Sequence, residues 1–254
     1  MSSALYASEF DEDGNAYVAG YLDNTSNPIP YLKRLTPSVV VPPTPYTAPT
    51  TQTAIIDGLT STTPTSVTVT IPATVTTGDW LLIAAVHRKD GVLSSSIGTQ
   101  VGTQASDYAN HEMSVWTYQV TGSDVPGTTT FTVSSDQTFT NFSVCVVPVT
   151  GSEGIDDTSG PIALGFTNTP DAPSVTTTEE NSRVYCFVSA VSGNGYTVGA
   201  GYDEVAEAAT GTAGLYVYSY LKETAGVTGA LECTRTAGSA NHYGCSIAMK
   251  GTPT

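Results

Sequence analysis

Apolar and polar residues are arranged in short segments along most of this chain. Residues 66–70 alternate strictly, which predicts a strand with one buried face, and residues 80–86 are continuously apolar, as in a central strand of a sheet. Further segments of these two kinds predict strands over 113–120, 128–133, 142–149, 182–190, 215–221, 230–234 and 243–250. Residues 90–112 lack both patterns and are predicted to form a long loop. The expected fold class is all-β.

The predicted strands return in the same order in the second half of the chain. Asn141, Cys145 and Gly151 are matched by Asn241, Cys245 and Gly251 with the same spacing. An aromatic strand is also matched, in the pairs Val115 with Val217, Trp116 with Tyr218, and Tyr118 with Tyr220. Two units are too few for a solenoid, so we expect a jelly-roll-like antiparallel β-sandwich with an internal two-fold repeat and a shared core.

The first 35 residues differ from the rest and are predicted to be an N-terminal arm or hairpin. Residues 16–22 and 29–35 have the composition of two strands, separated by turn residues. Pro30 lacks a backbone N–H, which confines the second strand to a sheet edge. A segment this short buries little surface alone, so it is expected to dock on its own body, on a sister chain or on a partner.

Residues 36–53 are rich in Pro and Thr and are predicted to be a stiff linker to a sandwich domain over residues 54–254. A stiff linker with a small unit at its tip suits attachment to a partner. The candidate attachment residues are Tyr17, Tyr21, Tyr31, Leu32 and Leu35.

The formal net charge of -15 narrows the range of partners. A surface of this sign repels nucleic acid and anionic membranes, so neither is expected as a main partner. The first residues lack the basic and apolar segments of a signal peptide, and no apolar run approaches the ~20 residues of a membrane-spanning helix. Folding in cytoplasm is therefore expected.

The four cysteines carry no metal-binding or disulfide pattern, since there is no CxxC pair and no His at ligand spacing. Each lies in a predicted strand, and Cys145 alternates with Val147 and Val149. We expect four free, buried thiols that act as small apolar side chains, at positions Cys145, Cys186, Cys233 and Cys245.

Candidate catalytic residues are weak in this sequence, and an enzyme is not expected. His87 and His242 are predicted at strand ends and His111 in the long loop, and no GxSxG motif precedes a helix. Loop carboxylates could in principle form a glycosidase pair, but an acidic protein carries them by number alone: Glu153, Asp156, Asp157, Glu179 and Glu180.

One acidic segment resembles part of a calcium-binding loop. Asp11, Asp13 and Asn15 alternate as oxygen ligands would, with Gly14 at a turn. The closing glutamate is absent, because position 22 is Leu. No metal or other cofactor is therefore predicted.

Aromatic residues form two patches on predicted strands, Trp116 with Tyr118, and Tyr216 with Tyr218 and Tyr220. Cross-strand packing in a core or a subunit interface explains such patches. A platform for sugar rings is the alternative, and the sequence leaves both open.

The order of these elements resembles the jelly-roll domains of bacteriophage structural proteins of the head-decoration and tail-fibre-associated types. The resemblance covers residues 55–251. It rests on the order and spacing of the elements Thr77–Asp79 before an apolar strand, Val115–Tyr118, Gly151–Asp157, Pro173–Thr178 and Leu215–Tyr218. Such proteins often carry Gly-Trp in the long loop, where this chain has Ser96-Ile-Gly98.

The resemblance implies a non-enzymatic virion structural protein, with capsid decoration as the leading role. Its partner would be the major capsid protein or another virion protein. The protein would be a homo-oligomer, a trimer or a dimer, in virions assembled in the host cytoplasm. The alternative is a tail-fibre or receptor-binding module that adheres to host glycans, and an enzyme acting on surface polysaccharide is a third class.

Overall fold

The computed structural model describes residues 3–10, 16–22, 29–35, 46–59, 66–88, 91–108, 111–137, 141–190, 195–210, 213–236 and 238–254. These residues contain strands and no helix, so the all-β class predicted from the sequence is confirmed. The chain forms two compact units, residues 1–44 and 45–254.

The smaller unit is a three-stranded antiparallel sheet, in the order β1-β2-β3. Its strands are β1 (Ser3–Phe10), β2 (Ala16–Leu22) and β3 (Ile29–Leu35). The two predicted strands are confirmed, and β3 lies at the edge, as Pro30 requires. Strand β1 was not predicted, so the expected hairpin is in fact a three-stranded sheet.

The larger unit contains the remaining strands. They are β4 (Tyr46–Thr47), β5 (Thr50–Thr51), β6 (Ile55–Leu59), β7 (Ser66–Thr70), β8 (Trp80–His87), β9 (Leu93–Ser95), β10 (Thr99–Gln100), β11 (Ala105–Tyr108), β12 (His111–Gln119), β13 (Thr130–Ser135), β14 (Phe142–Thr150), β15 (Gly154–Thr167), β16 (Asp171–Ala172), β17 (Thr176–Thr177), β18 (Ser182–Ala190), β19 (Tyr196–Val198), β20 (Asp203–Thr210), β21 (Ala213–Lys222), β22 (Gly226–Val227), β23 (Leu231–Arg235), β24 (Ala240–Lys250) and β25 (Thr252–Pro253).

Two large antiparallel sheets form the centre of the larger unit. The first has the order β10-β12-β8-β14-β5, with β11 also paired to β12 and β6 to β14. The second has the order β15-β24-β18-β21-β20. Two small sheets, β7-β13-β9 and β16-β23-β19, accompany them, and the short pairs β17-β22 and β25-β4 complete the described pairing.

Both faces of each large sheet are buried, which explains the continuously apolar strands. Alternate residues of β8, such as Leu82 and Ala84, lie in a core shared with the second large sheet, whereas Leu81 and Ile83 lie in a core shared with β7 and β13. The second large sheet packs in the same way on β16 and β23. The described residues thus form four β-layers with three cores, where the sequence led us to expect a single shared core.

The two large sheets have matching strand orders, β12-β8-β14 and β21-β18-β24. In the first, Ile83 pairs with Trp116 and Val146. In the second, Cys186 pairs with Tyr218 and Ser246. This correspondence favours the predicted internal repeat, while jelly-roll connectivity and the two-fold repeat itself stay predictions.

Two segments predicted as irregular contain strands. Short strands β9, β10 and β11 lie within residues 90–112, so the prediction of a continuous loop was wrong there. Strand β4 pairs with β25, and β5 pairs with β14. Residues 46–51 of the predicted linker are therefore built into the larger unit.

Edge strand β15 approaches the segment between β10 and β11 closely at a pair of glycines, Gly160 and Gly102. A Cβ added at Gly160 would lie 3.0 Å from the Cα of Gly102, whose φ of +63° already suits glycine. Because two backbones meet here, neither can move aside as a flexible side chain would. The contact therefore requires glycine on both sides.

We expect Gly160→Ala to lower the free energy of unfolding by about 1–3 kcal/mol through overpacking of this contact. Chemical denaturation would measure the loss. Gly122→Ala is the matched control, because a Cβ added there meets no atom within 4 Å. Equal stability of the two variants would contradict a close contact between Gly102 and Gly160.

Candidate functional site

The larger unit has an open groove, called here the Arg183 groove, of about 600 Å³. Its walls are residues 47–53, Arg183, Asp203, Glu204, Val205 and Ser219. Arg183 donates from Nε to the carbonyl of Pro49 at 2.9 Å, and from Nη1 to Asp203 at 3.2 Å and Ser219 at 3.3 Å. The guanidinium therefore ties the segment around Pro49 to β18, β20 and β21.

The ion pair in the Arg183 groove contributes little free energy, because the Asp203 side chain is 71% exposed and water screens it. With Glu204 also exposed, the wall formed by β20 is acidic. The three donated bonds of Arg183 are used within the chain, so the main chemistry of this groove is structural.

A second groove, called here the Trp80 groove, has a volume of about 530 Å³. It is lined by Trp80, Gly98, Thr99, Thr117, Tyr118, Gln119 and Ile155. The Tyr118 hydroxyl donates to Asp124 Oδ2 at 2.7 Å. Partial burial and this hydrogen bond raise the pKa of Tyr118 above its ordinary value. An indole, a phenol, hydroxyls and an amide thus share one groove, and such groups can contact a sugar ring.

The other residues of the predicted aromatic patches are packed in cores. Trp116 lies in the core beside β7 and β13, and Tyr216 and Tyr218 lie in the core beside β16 and β23. Tyr218 is fully buried and donates its hydroxyl to the carbonyl of Leu231 at 2.5 Å. Of the two alternatives left open by the sequence, core packing holds for these three rings. Tyr220 is partly buried against the same core as Tyr218, and Tyr118 lines the Trp80 groove.

A buried polar network surrounds Glu112 at the start of β12. One carboxylate oxygen of Glu112 lies 3.2 Å from His87 Nε2 and accepts a hydrogen bond from the Gln104 amide. The other oxygen accepts the backbone N–H of Gly91 at 3.0 Å. Gln104 also donates to the Gly91 carbonyl at 2.6 Å. The network closes the connection between β8 and β9 over the core.

His111 is fully buried between the two large sheets, and the prediction that it lies in a loop was wrong. Its Nε2 lies 3.2 Å from Ser189 Oγ, and its ring stacks on Tyr243 with centroids 5.2 Å apart. Burial, followed by the repulsion from His87, His242 and Arg88, lowers the pKa of His111 to about 3. A neutral imidazole beside a buried hydroxyl is a packed pair that a substrate does not reach.

His242 is also fully buried, on the other face of the second large sheet. It meets the ring of Tyr196 edge-on, at 5.9 Å between centroids. Burial lowers the pKa of His242 to about 4, aided by Arg235 and partly opposed by the carbonyls of Ala240 and Gly165. The ring is therefore neutral at pH 7.

The loop carboxylates named in the sequence serve local structure. Asp156 accepts the backbone N–H and hydroxyl of Thr178, at 2.6 and 2.5 Å. Asp157 accepts the backbone N–H of Thr176 at 2.7 Å. Glu179 pairs with Lys250 at 3.2 Å. These bonds hold the loop before β18 against β15 and β24, while Glu153 and Glu180 are both exposed.

All four cysteines are free and buried, as predicted. Burial raises the pKa of Cys145 to about 12 and that of Cys233 to about 12, and it also raises the pKa values of Cys186 and Cys245. The thiolate is the reactive form, so none of these thiols is activated as a nucleophile.

The predicted attachment residues lie on neighbouring strands of the smaller unit. In the backbone register, Tyr17 pairs with Arg34, Tyr21 with Pro30, Tyr31 with Gly20, Leu32 with Ala19, and Leu35 with Ala16. Their side chains lie outside what the structure describes, as does the calcium-like segment Asp11–Asn15. The attachment role therefore stays a prediction.

Sequence reasoning missed the Glu112 network and the role of Arg183. The available signal was Glu112, the single carboxylate of strand 111–119, because a carboxylate buried with such a strand requires hydrogen-bond donors. Its partners Gly91 and Gln104 come from the segment predicted as a loop.

Two further findings concern the chain as a whole. Within the described residues, no group of three or more His, Cys, Asp or Glu side chains is placed to hold a metal ion. The same residues contain no helix long and apolar enough to cross a membrane. Comparisons with protein-family models, with curated proteins and with solved structures each gave no significant match.

Proposed function

We propose that this protein is a non-enzymatic structural protein of a bacteriophage virion, and that its role is decoration of the capsid. One observation carries the proposal. Every imidazole and every thiol of the chain is buried in packing, while the grooves are lined by hydroxyl, carboxylate and aromatic groups. The reactive side chains serve the scaffold, which suits a protein whose function is its shape and surface.

The charge of the larger unit supports a place on the outside of a particle. It carries 18 Asp and Glu residues against 6 Lys and Arg residues. An acidic outer surface repels other particles of the same sign and opposes their aggregation. The resemblance to head-decoration proteins gives the partner, the major capsid protein or another virion protein, and a trimer or dimer as the assembly.

The smaller unit is the proposed anchor, with Tyr17, Tyr21, Tyr31, Leu32 and Leu35 as contact residues. Aromatic side chains are enriched among the residues that contribute most to protein interfaces. The localisation that follows is the virion, after assembly in the host cytoplasm.

Co-sedimentation with purified phage heads and electron microscopy test this function. We expect the full chain to bind heads at regular positions and a variant lacking residues 1–44 to lose binding. The deletion stops there because β4 and β5 belong to the larger unit. Unchanged circular dichroism of the larger unit is the control for folding.

Two outcomes separate the parts of this proposal. If the shortened chain still decorates heads, the smaller unit is not the anchor. If the full chain binds no head but is found on tails or off the particle, capsid decoration is wrong.

In the full chain, joint replacement of Tyr17 and Tyr21 by Ala should weaken binding if these residues make the contact.

A glycan-adhesion module is the second candidate, and the Trp80 groove is the observation that favours it. A glycan array distinguishes the two candidates. Tight, selective sugar binding that Gln119→Ala weakens and Gln137→Ala does not would replace decoration by adhesion, since Gln119 lines the groove and Gln137 does not.

A further inference from the structure

The three histidines of the chain lie at one end of the four-layer stack, one in each space between layers. His87 is the last residue of β8 and faces the space between the first large sheet and β7-β13-β9, as Ile83 and Ala85 do. His111, the first residue of β12, lies between the two large sheets against Ser189 and Tyr243. His242 lies against Tyr196, between the second large sheet and β16-β23-β19. We call this region the histidine end.

Packing alone does not require imidazoles at these positions. By the matching strand order of the two large sheets, His87 corresponds to Ala190, His111 to Ala213 and His242 to Phe142. Phe142 is itself fully buried in its own core. The residue at each equivalent position is thus apolar in the sequence, and Ala190 and Phe142 are fully buried there.

The charged groups around the histidine end are two arginines and two glutamates, and each arginine repels a proton on one of the buried histidines. Arg88 acts on His111 from the segment after β8, and Arg235 acts on His242 from β23. The three histidines also lie close enough for each protonated ring to repel its neighbour. Glu112 faces His87, and Glu207 of β20 lies near Gly195, which precedes Tyr196. Among the described residues, Tyr243 stacks on His111, Tyr196 meets His242, Tyr216 stacks on Tyr196, and Cys233 lies near Tyr196. A phenol or a thiol carries no charge at acid pH.

We propose that the histidine end is an acid-operated latch. It is closed while His111 and His242 are neutral, and it opens when these two rings take up protons. Opening separates the layers at this end first, because a proton on either ring places a charge in a dry space beside Arg88 or Arg235. The opposite end of the sheets has no such group among its described residues and stays paired.

The direction of the pH effect follows from linkage. Both histidines have folded pKa values, about 3 and about 4, below the unfolded value of 6.5. The free energy that the two neutral rings contribute to the closed state is fully present above pH 6.5. It is lost as the pH falls from 6.5 toward the folded pKa values. Each proton that the open state binds and the closed state does not changes the equilibrium constant for opening about tenfold per pH unit. Two such protons change it about 100-fold per pH unit.

Carboxylates set the lower limit of the useful pH window. The hydrogen bonds to Asp124 outweigh its partial burial and lower its pKa, so its own loss of stability occurs at more acid pH. Burial, followed by the repulsion from Glu204, raises the pKa of Glu207, so the folded state binds this proton at higher pH than the unfolded state does, and Glu207 therefore opposes opening as the pH falls. The window from pH 6.5 to 4.5 therefore reports mainly on the histidines.

Hydrogen–deuterium exchange of the full chain, corrected for the intrinsic pH dependence, tests the proposal. Between pH 6.5 and 4.5 we expect exchange to rise in peptides spanning 84–88, 111–115 and 240–244. Peptides spanning 117–120 and 147–150, at the other end of the same strands, should stay protected. Uniform exchange along the strands, or no change at any of them, would overturn the latch.

The double variant His111→Gln and His242→Phe should abolish the acid response in this window. Gln can keep a hydrogen bond to Ser189, and Phe is the residue at the matching position 142. Tyr243→Phe is the control, because it keeps the stacked ring and leaves His111 able to titrate, and it should open as the wild type does. A double variant that opens like the wild type would contradict the proposal.

A wild-type measurement keeps the test decisive if the double variant does not fold. Urea unfolding between pH 6.5 and 4.5 should show the equilibrium constant rising by up to about 100-fold per pH unit. A slope of zero would show that the two histidines titrate alike in the folded and unfolded states, and the latch would be excluded.

Discussion

Phe187→Ala should lower the free energy of unfolding by about 3–5 kcal/mol. Phe187 is fully buried in the core between the two large sheets, where it lies opposite Val217 on one neighbouring strand and Cys245 on the other. Removing the ring deletes apolar contacts and leaves a cavity that β-strands fixed on both sides cannot fill. The midpoint of thermal unfolding should fall by roughly 6–20 °C for a domain of this size.

Phe166→Ala is the matched control, since it removes the same ring from a position on β15 that is 72% exposed. We expect a change within about 0.5 kcal/mol there. Urea denaturation of both variants measures the difference. If Phe187→Ala were as stable as Phe166→Ala, the central layer contact between the two large sheets would be wrong.

Glu112→Ala should destabilise the larger unit by about 3 kcal/mol, because it leaves buried partners without their acceptor. The side chain of Glu112 accepts from the Gly91 backbone and from Gln104, and it pairs with His87. Alanine cannot replace any of these bonds. We also expect the connection from residue 88 to 93 to become more open, with faster amide exchange at Gly91.

The control for this change is Glu180→Ala, which removes an exposed carboxylate and should leave stability almost unchanged. Thermal unfolding at pH 7 compares the two. A stable Glu112→Ala protein with protected Gly91 would mean that the network does not hold the β8–β9 connection.

The central strands were predictable because their apolar runs are local and unambiguous. Residues 80–86 and 184–188 are apolar without alternation, which indicated strands covered on both faces, and β8 and β18 have that environment. The same runs could not show that each large sheet has its own small sheet, because which surfaces meet depends on pairing between distant segments.

Strands β15 and β20 escaped prediction for two different reasons. Strand β15 contains glycines and Pro161, and its register with β24 shifts three times, so its sequence has no regular alternation. Strand β20 is rich in Ala and Glu, which favour helices. Pairing with β21 and burial of Ala206 and Ala208 outweigh that preference.

The candidate site also combines features that the local sequence predicts with features that depend on distant residues. Burial of the thiols was predictable from their phase along the strands, and it is confirmed for all four. The pairing of His87 with Glu112, of His111 with Ser189, and of Arg183 with Pro49 was not, since the partners lie 25, 78 and 134 residues apart.

By itself, the sequence determined that this protein is built of β-strands, where the central strands lie, and that the surface is strongly acidic. These properties depend on neighbouring residues and on composition. Only the tertiary structure decided that four layers stack around three cores and that the histidines gather at one end of them. Long-range strand pairing selects which side chains share a buried space, and that burial lowers the pKa values of His111 and His242 and keeps both rings neutral at pH 7.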